Sequence, residues 1–76
     1  MRDLVLWLAR ELVEDREAVK VEAIERDRST VFELTVDPDD LGRVIGRGGR
    51  TAKALRTVLD AAARRDGRRA VLDILD

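Results

Sequence analysis

Residues 42–53 read GRVIGRGGRTAK. Leu41, Val44 and Ile45 recur at helical spacing and run into Gly46-Arg47-Gly48-Gly49, after which Arg50 opens a second helical pattern. Glycines at a helix–helix junction let backbone approach a ligand with no side chain in the way. The N–H groups that open the following helix, aided by its dipole, favour an anion such as a phosphate. Arg47 and Arg50 bring fixed positive charge to the same spot.

The charge distribution supports that reading. Net charge is only −1, yet residues 1–42 carry six Arg/Lys against twelve Asp/Glu, whereas residues 43–69 carry nine against two. Such polarity is the electrostatic footprint of a surface for a polyanion, despite an acidic whole-chain pI. With 76 residues and neither cysteine nor histidine, the chain is expected to form one domain over 1–76 whose core has no help from disulfides or the usual zinc clusters. Leu4 to Ala9 is the N-terminal apolar run, too short to span a membrane, and it lacks signal-peptide flanks. A cytoplasmic protein without membrane contact is expected.

Working outward, Leu4, Val5, Leu8, Ala9 and Leu12 predict an amphipathic helix over 2–14. Two period-two runs follow, 19–26 and 29–36, joined by Asp27-Arg28 as a tight turn. Val19, Val21 and Ala23 share one face of the first; Phe32, Leu34 and Val36 share one face of the second. Asp37-Pro38-Asp39-Asp40 predicts a helix start, with Asp37 as N-cap, for a short helix over 38–46. Beyond the glycines, a helix over 50–64 has Ala52, Leu55, Val58, Leu59 and Ala62 as its buried stripe, and Asp66-Gly67 ends it. Residues 69–75 alternate as a last strand. The order αββααβ predicts a two-layer α+β domain, three helices on one face of a three-stranded sheet, with Lys20, Glu22, Glu33, Thr35 and Asp73 turned to water.

Two phosphate-binding motifs fail on spacing and context. A Walker A loop needs Gly-Lys-Ser/Thr after a strand, and no such triplet exists. A dinucleotide fingerprint needs a glycine where Thr51 stands, again after a strand. No acids are arranged to hold magnesium beside the loop, so neither an enzyme nor a cofactor is expected. Trp7 and Phe32 are the only aromatics, which disfavours modules that stack bases on paired aromatic rings. Phe32 is expected in the core. Trp7 lies beside the Leu4–Leu8–Leu12 stripe and is expected to pack at its edge, with an exposed partner contact as the alternative.

The Val44-Ile45-Gly46-Arg47-Gly48-Gly49 run, set between two helices in this order, resembles the KH domain of type II topology, whose Gly-x-x-Gly loop clamps a four-nucleotide stretch of backbone. The likeness covers the whole chain and extends to the small stand-alone bacterial KH proteins, through the runs Leu41–Gly46 and Arg50–Arg56. It implies single-stranded RNA binding without catalysis, as an RNA chaperone or post-transcriptional regulator, with a link to cell-shape and cell-wall control. It further implies a homodimer, or a heterodimer with a larger KH-containing RNA-binding protein. The alternative is a protein-interaction module whose RNA binding is secondary, with Leu41, Val44 and Ile45 as its contact surface.

Residue by residue, the resemblance assigns the backbone turn to Gly46 and Gly49, and the variable loop positions to Arg47 and Gly48. Arg50 and Lys53 are suited to further phosphates on successive turns, and Arg43 to joining them from the short helix. Ile45, Val44 and Leu41 would line an apolar groove for bases, with core packing the better reading for Leu41. Arg64, Arg65, Arg68 and Arg69 lie about 20 Å from the loop end of the helix. They either extend the footprint, contact a second strand, or pair with the acidic half of the chain.

Overall fold

In the computed structural model, which describes residues 1–76, the sheet is built around β2 (Ser29–Thr35). Its antiparallel neighbour is β1 (Lys20–Glu25), and its parallel neighbour is β3 (Arg69–Ile74). The helices are α1 (Arg2–Leu12), α2 (Leu41–Ile45) and α3 (Arg50–Arg64), giving the expected αββααβ order and a mixed sheet in the type II KH arrangement. Period-two burial puts Thr30, Phe32 and Leu34 of the central strand inward. Val21 and Leu72 flank them, and Val5 and Ala9 of α1, Val44 of α2, and Leu55 and Leu59 of α3 close over that face in one apolar core.

Several boundaries differ from the sequence-based expectation. Helix α1 stops at Leu12, two residues early, because Val13 is already extended and the next N–H groups are drawn elsewhere: Glu14 and Asp15 donate to the Asp40 carboxylate at 3.2 and 3.0 Å. A 3-10 turn over Arg16–Ala18 then leads into β1. The helix expected over 38–46 divides into a 3-10 turn, Pro38–Asp40, and α2; Asp37 caps the turn as expected, accepting from the Asp39 N–H at 2.9 Å. On α3 the buried stripe is Ala52, Leu55, Leu59 and Ala63, while Val58 is 47% exposed. The stripe expected from sequence was thus rotated, since alanine periodicity alone does not separate position 62 from 63. Trp7 is 59% exposed, so the edge-packing expectation gives way to the exposed alternative. Ala23, expected inward beside Val21, is also exposed, at the rim of a hollow bordered by Met1 and Arg2.

Arginines finish the sheet. The Asp27-Arg28 turn closes through the Arg26 N–H donating to the Ser29 carbonyl at 2.8 Å, with no residue at positive φ, a geometry that splays paired strands. Arg68 restrains it: one guanidinium nitrogen donates to Glu25 at 2.7 Å and to the Ser29 and Arg26 carbonyls at 2.8 and 3.1 Å. Of the alternatives for the distal arginines, pairing with the acidic half is what Arg68 does. At the outer edges Arg2 donates to the Val21 carbonyl at 3.0 Å and Arg56 to that of Leu72 at 3.3 Å, covering one edge acceptor on each side.

Candidate functional site

The glycine loop begins where α2 runs out. The Gly46 N–H still donates to the Gly42 carbonyl at 2.8 Å, but Gly46 itself turns to φ 76° and ψ 170°, and the Gly49 N–H returns to the Gly46 carbonyl at 3.1 Å. Gly48 and Gly49 both take left-handed conformations, φ 63° and 79°. The glycines serve distinct ends. A Cβ on Gly46 would stand 2.7 Å from the Thr51 Cβ and 2.8 Å from its backbone nitrogen, so this residue lets the loop close onto the first turn of α3. Gly48 and Gly49 face open space, and glycine there serves the backbone angle and leaves room for a ligand.

Helix α3 then starts with no side-chain cap and no acid in its first turn. The Arg50 N–H donates to the Arg47 carbonyl, and no side chain caps the N–H groups that follow it. Arg47, Arg50 and Lys53 are exposed and take part in none of the six ion pairs of the chain. Cations at the positive end of a helix dipole cost roughly 0.3–1 kcal/mol each in the empty protein. An anion at the loop reverses that sign.

Other expected site residues lie differently. The Arg43 guanidinium is committed away from the loop, 2.8 Å from Glu14 and 3.1 Å from Asp40, so the structure does not bring it together with Arg47. Asp40 is nearly buried, and the Asp15 N–H holds its carboxyl below the ordinary 3.8, helped by the Glu14 N–H and Arg43 and opposed by desolvation. This carboxylate ties the loop after α1 to the start of α2, and so sets where the glycine loop emerges. Val44 is fully buried and faces the core, not a groove; Leu41 is partly buried against the same core, and Ile45 alone remains 37% exposed beside the loop.

A groove absent from the sequence reading begins at Lys53, one turn into α3. One wall is α3, through Lys53, Arg56, Thr57, Asp60, Ala61 and Arg64; the other is β3, from Arg69 to Leu72. Asp60, the one acid in it, is paired with Arg64 at 3.0 Å. Lys53, Arg56, Thr57, Asp60 and Arg64 recur every three or four residues opposite the buried stripe, so the helical wall was legible in principle. The strand wall depends on the parallel pairing of β3, which no local pattern announces. The groove joins Lys53, in the first turns of α3, to Arg64 and Arg69, which the sequence reading had set apart from the loop.

No helix is long and apolar enough to cross a membrane. Comparison with known proteins is consistent across the chain. Residues 2–74 match the family model described as KhpA/KhpB, KH domain. A protein of Aquifex aeolicus is 49% identical over 76 residues, covering 100% of this chain and 96% of its own. One of Halalkalibacterium halodurans is also 49% identical, with both chains fully covered, and one of Borreliella burgdorferi is 43% identical over 74 residues, covering 97% and 90%. All three carry the name RNA-binding protein KhpA. No solved structure gives a significant match. With its fold, its glycine loop and this match over nearly its whole length, the chain belongs to the KhpA/KhpB family of KH domains.

Proposed function

We propose that this protein, a single KH domain over residues 1–76, binds single-stranded RNA in the cytoplasm and carries out no chemistry on it. In this reading the Gly46–Gly49 loop receives backbone phosphates, with Arg47, Arg50 and Lys53 around them and Ile45 against the adjoining base. Following nucleotides lie along the α3–β3 groove. One observation carries the proposal: a helix N-terminus without a side-chain cap, opened by left-handed glycines, surrounded by exposed arginine and lysine without carboxylate partners. Local rules of helix electrostatics are broken there, and an RNA phosphate is the group that resolves the conflict. The names of its relatives support RNA as the polyanion. Extended from the family likeness, the role is that of an RNA chaperone or post-transcriptional regulator acting in cell-shape and cell-wall control.

The combined change Arg47→Asp and Gly48→Asp tests this. Gly48 has open space for a side chain, and aspartate tolerates the left-handed region better than most residues, so the fold survives. Retention of a short unstructured RNA at moderate salt is expected to vanish, while the circular dichroism spectrum stays that of the parent. RNA binding that persisted after this change would show the clamp assignment to be wrong.

A second reading, pairing with another KH domain, has its own observation. Between α1 and α3 lies a groove bordered by Leu8, Leu12, Ala54, Leu55 and Val58, with Val58 47% exposed. Its apolar floor suits the same surface of a second copy, or of the larger KH partner, better than it suits water. The surface first considered for pairing, on α2, is reduced to Ile45 by the burial of Val44. RNA binding and pairing therefore use different faces.

A further inference from the structure

The outer face of the sheet, which no helix covers, is ordered in rows. Strand register sets Glu22, Glu33 and Asp73 side by side across all three strands, and in the next outward row Ile24, Val31 and Val71. Strands about 4.8 Å apart make each row about 10 Å long, and the rows lie about 7 Å from one another. Like charges directly opposite on neighbouring strands destabilise a sheet, yet none of the three carboxylates takes part in an ion pair within the chain. They do not form a cluster suited to a metal ion. Beside them Val71 is 47% exposed, and Ile24 and Val31 are half-buried. An acidic row next to an apolar row, meeting the basic groove only at Val71, complements a ligand that is itself cationic along one line and apolar along the next.

We infer that this face docks a basic amphipathic helical segment of another protein. A helix rises about 10.5 Å over seven residues, so Lys or Arg at positions i, i+3 and i+7 spans the acidic row, while an adjoining Leu or Ile stripe rests on the apolar one. The acids repel nucleic acid, and this occupant meets the RNA groove only at Val71, so one molecule carries both at once.

The test uses the full chain, labelled with nitrogen-15, and a synthetic Lys/Leu peptide of about five helical turns. A scrambled peptide of the same composition is the control. Chemical-shift changes are expected to centre on the six row residues, to weaken with salt and, at every row residue except Val71, to be unaffected by a bound RNA oligomer. Glu33→Lys, which removes a like-charge contact at an outward position, is expected to fold and to lower peptide affinity roughly tenfold or more. Shifts confined to the α1–α3 groove, equal binding of the scrambled peptide, or unchanged affinity of Glu33→Lys would each overturn the inference. Concentration-dependent shifts on this face without peptide would assign it to a second copy and overturn it too. RNA binding is read separately in the same samples, so its failure and the failure of the docking face are distinguishable.

Discussion

Gly42 and Gly46 are one helical turn apart and answer to opposite constraints. Gly46 has positive φ and Thr51 pressed against the place of its missing side chain, while Gly42 lacks both restrictions. Gly46→Ala is therefore expected to lose about 2 kcal/mol or more in urea unfolding, through overpacking added to a strained backbone. Gly42→Ala is expected to gain roughly 0.5–1 kcal/mol by stiffening the unfolded chain and favouring helix. Asp40 makes a second prediction at this scale. Its folded pKa is lowered, so the stability it contributes is complete above the ordinary 3.8 and is lost as pH falls through the folded value. Asp40→Asn is expected to be less stable than the parent at neutral pH, with the gap closing in acid; thermal melts across pH 2.5–7 read this directly.

Among the elements, the β1–β2 hairpin depends on a residue from outside it. Arg68 serves the turn carbonyls, Glu25 and, at 3.4 Å, the buried Thr30 hydroxyl. Arg68→Met keeps the length and removes the donors, and is expected to cost about 1–3 kcal/mol and to speed amide exchange first at Arg26–Thr30. Unchanged exchange there would mean that the turn holds itself. This element also shows where sequence reading reaches and where it ends. Strands, helices, their order and the glycine junction were legible because each leaves a local period or a turn signal. Arg43 was expected at the loop and is instead held by Glu14, twenty-nine positions away, and Val44 was expected to line a groove for bases and is instead buried in the core. Such pairings form only when distant segments meet, and an isolated arginine on a short helix carries no mark of its partner.

Across the whole molecule, charge and apolar surface are divided among separate faces within a body of 34 × 23 × 18 Å. The basic groove and the acidic sheet face share only Val71, and the apolar α1–α3 groove shares no lining residue with either. Val58→Asp should therefore abolish any self-association seen by light scattering while RNA affinity stays within about twofold, since residues on separate faces act additively. Loss of RNA binding in that variant would mean that pairing and RNA contact are one surface after all.

The parallel register of β2 with β3 has a consequence in time. Everything that grips RNA in this reading lies in the crossover between those strands, and β3 forms the far wall of the groove. Synthesis adds about 5–20 residues per second. The hairpin and α1 thus emerge seconds before the strand that completes the binding surface. A nascent chain halted short of Arg69 would present the loop with one wall only. In this reading the surface for RNA is complete only once β3 has paired with β2, so the two walls of the groove are never made at the same moment.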